Sequence, residues 1–216
     1  MASTIIRKIL LAILCISTLA LFFVVRVVMY QWYRISNKGY LIHEPTNHFS
    51  VPLDRCKRFN DFNLTVCIHD PKTDIYVSKR ISQGVLWEGH LIKIIQDMIK
   101  EDRSLALIDI GANIGCYSLA AAGVGSRALA VEPMPHNLEL LHASIALSHL
   151  QDVITVVPYA VSDGYYNMSL ETEVTNQGRS LLKKADECIP SHQYTCTYTT
   201  TIKLDDLLKG TVYMSA

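Results

Sequence analysis

Residues Leu105 to Pro133 read LALIDIGANIGCYSLAAAGVGSRALAVEP, and this stretch decides the fold. LALIDI is a short apolar run of buried-strand length, and Gly111 and Gly115 break it where the chain has to turn sharply and admit a ligand to the backbone. CYSLAAAGV then carries a helix whose first amides, lacking intrahelical acceptors, face that ligand. About twenty residues beyond the glycines, Glu132 closes a second apolar run, ALAVEP, at the offset where a carboxylate takes both hydroxyls of a ribose. Strand, glycine turn, helix, strand and acid in this order predict a parallel β-α-β unit that holds an adenosine-type cofactor.

The turn discriminates among such cofactors. A dinucleotide loop uses glycine at three places, whereas this one reads D-x-G-x-N-x-G, with Asn113 where a pyrophosphate needs the closest backbone approach. Asp109 stands at the strand's end, where its charge repels a diphosphate and attracts the cationic part of S-adenosylmethionine. The turn therefore favours a methyl donor over NAD. The competing reading is a glycine turn in an α/β protein that binds no cofactor, and Glu132 at the ribose offset argues against it.

IDIGANIG, AVEPMPHN, PYAVSD and TIKLDDLL follow one another in the chain, and in that order they resemble the FkbM-type methyltransferases. The resemblance begins near Ser78 and runs to the C-terminus. It implies S-adenosylmethionine as cofactor, O-methylation of a hydroxyl on a glycan or small-molecule acceptor, and a Rossmann-like class I methyltransferase fold with three αβα layers. By the same resemblance, Asp109, Gly111, Asn113 and Gly115 line the methionine and ribose end, Glu132 holds the ribose, and Asp163 lies beside the adenine. Glu88, in GVLWEGH, matches a Glu that such proteins often carry ahead of the first strand, and reads equally as a solvated position on an amphipathic helix. Members of that family continue past the LDDLL block into a further core strand, whereas this chain ends GTVYMSA at Ala216. The expectation is a domain over residues 78–216 lacking its C-terminal strands, with the first strand open where the missing one belongs. Two functional readings follow: a methyltransferase, or a catalytically inactive, shortened, membrane-tethered form that acts as an interaction protein.

With 216 residues, 50% of them apolar, there is enough chain for one α/β core. A formal charge of zero and the lack of a basic block argue against a nucleic-acid surface. Segment 9–30 supplies much of the apolar excess. Ile9 to Val25 carries no charge, Val27 to Met29 extend it past Arg26, and Tyr30, Trp32 and Tyr33 suit an interfacial belt. It reads as an uncleaved transmembrane signal anchor rather than a cleaved peptide, because no small-residue cleavage site precedes a polar start. Residues 1–8 then form a cytosolic tail. The expected placement is a single-pass, type II membrane protein of the endoplasmic reticulum or Golgi with a lumenal domain.

Charges flanking the segment do not orient it, but cysteines and sequons do. Cys56 and Cys67 lie close together, as do Cys188 and Cys196, which suits two local disulfides among the pairings that four cysteines allow. Asn63 and Asn167 each open an N-glycosylation sequon. Cys15 and Cys116 read as free thiols packed as small apolar groups. No C-x-x-C pair or other metal constellation is present, so no metal is expected.

Residues 31–77, with prolines at 45, 52 and 71, read as a loop-rich stem. VLWEGHLIKIIQDMIK repeats apolar residues at helical spacing through Leu86, Leu91, Ile94, Ile95, Met98 and Ile99 and is expected to pack that face on the sheet. Asn137 precedes the run LELLHASIALSHL as its expected N-cap. VITVVPYAV is the third core strand, and YYNMSLETE and TYTTTIKL are antiparallel strands around a polar loop, Thr175 to Ser191. No general base emerges, since His90, His136, His142 and His149 all fall in or beside helices, where packing or solvation is the ordinary role. Methyl transfer to a hydroxyl can proceed largely by alignment, so no catalytic residue is assigned.

Overall fold

The computed structural model describes residues 51–212. It opens on a hairpin: β1 (Cys56–Phe59) and β2 (Leu64–Cys67) pair antiparallel, with Cys56 opposite Cys67 and the two sulfurs bonded. Asn63 takes the left-handed backbone, φ 51°, that closes the turn, a conformation its short polar side chain tolerates. All of β2 is buried, and Leu64, Val66 and Ile68 belong to the main core. The part of the stem from Cys56 to His69 is therefore core structure rather than loop. The reason lies in a partner far along the chain, described below.

Two helices follow. In α1 (Val77–Ser82) the first amides are capped by the buried carboxylate of Asp74, which accepts from Val77 and Ser78 at 3.3 and 2.8 Å. In α2 (Gly89–Glu101) the buried stripe is Ile92, Gln96 and Ile99, and Gln96 Nε2 donates to the Ala120 carbonyl. Leu91, Ile94 and Met98, from the face expected to pack, are exposed. The helix carries apolar residues on two faces, and periodicity alone does not say which one meets the core.

The central unit is β3 (Leu107–Ile110), α3 (Cys116–Gly123), β4 (Ala128–Val131), α4 (Pro135–Leu147) and β5 (Ile154–Val157). The strands are parallel in the order β3-β4-β5, with Asp109 beside Ala130 and Ala130 beside Val156. β4, in the middle, is wholly buried. β3 stands at an edge of this sheet, and its alternate residues Ile108 and Ile110 are 44% and 51% exposed.

A four-stranded sheet completes the described chain, built from β6 (Ala160–Ser162), β7 (Asn167–Glu173), β8 (Asn176–Lys184) and β9 (Tyr194–Lys203) in the order β6-β9-β7-β8. Only β6 and β9 run parallel; β7 is antiparallel to both neighbours. Cys188 and Cys196 are bonded across the connection from β8 to β9, and α5 (Leu204–Val212) follows. β8 occupies the stretch expected as a polar loop. Cross-strand polar pairs hold it, Thr172 Oγ1 with Ser180 Oγ at 2.7 Å and Lys183 with Glu171 at 2.7 Å, and these leave no apolar alternation to read.

The expected fold class is thus corrected. Instead of one truncated Rossmann-like methyltransferase sheet in three αβα layers behind a membrane helix, the described residues form a mixed α/β structure with three sheets, one of them largely antiparallel. It has more strands than such a truncated fold provides. The membrane expectations are corrected with it. No helix among the described residues is long and apolar enough to cross a bilayer, so the single-pass membrane partner and the type II endoplasmic reticulum or Golgi placement are not supported. The tail 1–8, segment 9–30 and Cys15 lie outside the described residues.

Candidate cofactor half-site

The C-terminal ends of β3 and β4 bring together five of the six residues singled out for cofactor binding. After β3 the chain turns through Gly111 at φ 78°, Asn113 at φ 53° and Gly115 at φ 86°. Gly115 is the N-cap of α3, and a Cβ built there would lie 2.2 Å from Leu141 Cδ1, so this glycine is demanded by packing against α4 as well as by its backbone. A Cβ at Gly111 would meet nothing within 4 Å. The two glycines therefore differ in kind: one seals the turn to the core, the other borders open space.

The amides of Gly111, Ala112 and Asn113 are already paired. Gly111 and Ala112 both donate to the Val131 carbonyl, at 2.8 and 3.0 Å, and Asn113 donates to Glu132 Oε2 at 2.7 Å. Asp109 Oδ2 accepts from the Ser118 amide at 3.1 Å and from its hydroxyl at 2.7 Å. Ser118 is the third residue of α3, so Asp109 fills the anion position at that helix's N-terminus. A phosphate group would compete with a carboxylate already there, the physical counterpart of the preference for a methyl donor over a dinucleotide.

Glu132 is 4% exposed and is the hub of the site. Besides Asn113, it accepts from the Met134 amide at 2.9 Å and from Asn137 Nδ2 at 3.1 Å. A carboxylate has about four lone-pair positions, so three donors leave room for about one ligand hydroxyl rather than two. Burial pushes both Asp109 and Glu132 above the usual carboxylate range, against the pull of these hydrogen bonds.

Asn137 is not the N-cap of α4. The helix begins at Pro135 after Met134, and Asn137 sits within the first turn, where it joins Glu132 to His69: its Oδ1 lies 2.7 Å from His69 Nε2. His69 has no counterpart among the sequence candidates. Its flag was its position, two residues beyond Cys67, just past the end of β2. Ser118 and Tyr117 were missed too. Glu88 is the left-handed residue before α2, φ 49°, and accepts a hydrogen bond from Tyr117 Oη; burial, and after it this bond, raises the phenol's pKa. Asp163 is not brought to this cluster by any hydrogen bond. It is exposed after β6, in the other sheet, and accepts from Ser162 Oγ.

Asn63 and Asn167 are both exposed. Cys116 is buried and free, its thiol pushed up to about 12 by burial. No group of three or more metal-ligating side chains occurs among the described residues. The chain matches no family model, no curated protein and no solved structure.

Proposed function

We propose that the chain is an S-adenosylmethionine-dependent methyltransferase of the FkbM type, acting on a hydroxyl of a glycan or small-molecule acceptor. One observation carries the reading. Two buried carboxylates, Asp109 and Glu132, terminate adjacent parallel strands, and the first of them occupies the helix N-terminus where a diphosphate would otherwise bind. The residues fit the cofactor: Gly111 borders open space, Glu132 retains an acceptor position for a ribose hydroxyl, and Asp109 keeps Oδ1 for a cationic donor. S-adenosylmethionine would supply an electrophilic methyl group. Glu132 would orient the ribose, the Gly111 turn would admit the methionine end, and Asp109 would favour positive over negative charge beside it.

Calorimetric titration of S-adenosylmethionine into the protein tests this, with NAD as comparison. Binding with Kd on the order of micromolar, lost in Glu132→Ala and absent for NAD, is the expected result. A folded protein that binds neither ligand refutes it. That result would favour the second reading, a non-catalytic interaction protein, for which the open edge of β3 with Ile108 and Ile110 exposed is the specific observation.

A further inference from the structure

Beside the half-site lies an open cleft of about 290 Å³, whose polar wall is Arg55, His69, His136, Glu139 and Gln177, with Leu140 among its apolar members. It draws on separate parts of the chain: Arg55 at the start of the hairpin, His69 after β2, His136 and Glu139 in the first turns of α4, and Gln177 in β8. Its deepest polar group is His69, 6% exposed. Hydrogen bonding fixes the state of that ring. Asn137 Nδ2 donates to Glu132, so Asn137 turns its carbonyl oxygen to His69, and His69 Nε2 must carry the proton it donates. Burial holds the imidazole below its ordinary pKa, so it is neutral near pH 7, and Nδ1, the nitrogen left to a ligand, is an acceptor.

The wall thus offers two acceptors, His69 Nδ1 and the Glu139 carboxylate, one donor, the Arg55 guanidinium, and two further polar side chains, the Gln177 amide, which both donates and accepts, and the His136 ring. Neither Arg55 nor Glu139 forms an ion pair among the described residues. An anion would meet Arg55 favourably but would be repelled by Glu139 and by the Nδ1 lone pair. A cation would meet the reverse conflict. A neutral group in which every oxygen both donates and accepts satisfies donors and acceptors together.

We propose that this cleft is a subsite for a neutral, hydroxyl-rich ligand of sugar type, with His69 Nδ1 accepting a hydrogen bond from one of its hydroxyls. His69, Asn137 and Glu132 form a continuous chain of hydrogen bonds, so the subsite and the cofactor half-site share one network. That the ligand is the methyl acceptor rests on the methyltransferase reading. That the cleft binds it does not.

The test is a titration of methyl hexosides into the full chain, followed by the ring-nitrogen NMR signals of the histidines, with inorganic phosphate as the anionic comparison. Saturable binding that shifts His69 Nδ1 is expected, weakened about tenfold or more in Glu139→Gln and in Arg55→Met, two exposed positions whose replacement leaves the core intact. The proposal is overturned if no hexoside shifts His69, if both variants bind like the parent, or if phosphate binds the cleft more tightly than every hexoside. A parallel S-adenosylmethionine titration separates the two ideas. Hexoside binding without cofactor binding removes the methyltransferase reading alone, and cofactor binding without hexoside binding removes the subsite alone.

Discussion

Gly115 and Gly111 share a positive φ but are held by different forces, and substitution separates them. Gly115→Ala must push the end of the Leu141 side chain aside in addition to straining the backbone, which together cost about 2–4 kcal/mol. Gly111→Ala meets only the conformational cost, about 1–2 kcal/mol, and projects its methyl group into the space assigned to the ligand. Urea unfolding should therefore rank Gly115→Ala as the more damaging, while cofactor titration should show Gly111→Ala impaired in a protein that still folds. Equal losses of stability would contradict the packing described. His69 supplies a second residue-scale expectation. Its folded pKa lies below the ordinary 6.5, so the unfolded chain takes up the proton first as pH falls. The stability that goes with its neutral burial is complete above about 6.5 and is lost as pH drops through that value toward the lower folded one. Stability measured from pH 8 to 5 should fall more steeply in the parent than in His69→Gln, whose amide can still donate to Asn137. The difference isolates His69 from Asp109 and Glu132, whose raised values act with opposite sign and weigh on the fold as pH rises through them. The sequence exposed the carboxylates and glycines because their spacing is local. It hid His69 because the bond that gives it a role spans 68 residues.

Among elements, the tie between β2 and α4 explains most about the fold. Strand residues two apart are about 6.6 Å from each other and helix residues four apart about 6 Å, so the two repeats nearly match. Ser144 Oγ accepts from the Cys67 amide at 2.8 Å, and Ser148 Oγ accepts from the Thr65 amide at 2.9 Å, so the helix satisfies one edge of the strand with hydroxyls. Ser144→Ala leaves a buried amide unpaired and should cost about 1–3 kcal/mol in chemical denaturation. A loss within about 0.5 kcal/mol would mean that the hydroxyl is dispensable. β3 shows the opposite condition, an uncapped edge bearing exposed isoleucines. Any association of the protein through this edge should weaken in Ile110→Lys when followed by sedimentation, while stability changes by no more than about 0.5 kcal/mol. The parallel strands and their helices were legible because each is a compact apolar run. The N-terminal hairpin and β8 were not: prolines and asparagines around the first read as loop, and the second is held by polar pairs that give no hydrophobic period.

At the scale of the whole molecule, two short covalent loops hold the ends of the described fold, Cys56–Cys67 closing the hairpin and Cys188–Cys196 bracing the β8–β9 connection. Such crosslinks persist in oxidising surroundings. Each should contribute about 2–4 kcal/mol, so a reducing agent should lower the unfolding midpoint, and Cys188→Ser with Cys196→Ser should lower it less than reduction of both. The serine clasp on β2 has a further consequence, in time rather than in energy. The strand's amides wait for acceptors 77 and 83 positions downstream, and a ribosome adding about 5–20 residues per second needs on the order of ten seconds to deliver them. For that interval the nascent hairpin is a strand with a bare edge and four side chains that have nowhere to go, which makes it, among the described residues, the segment a holding chaperone would meet first.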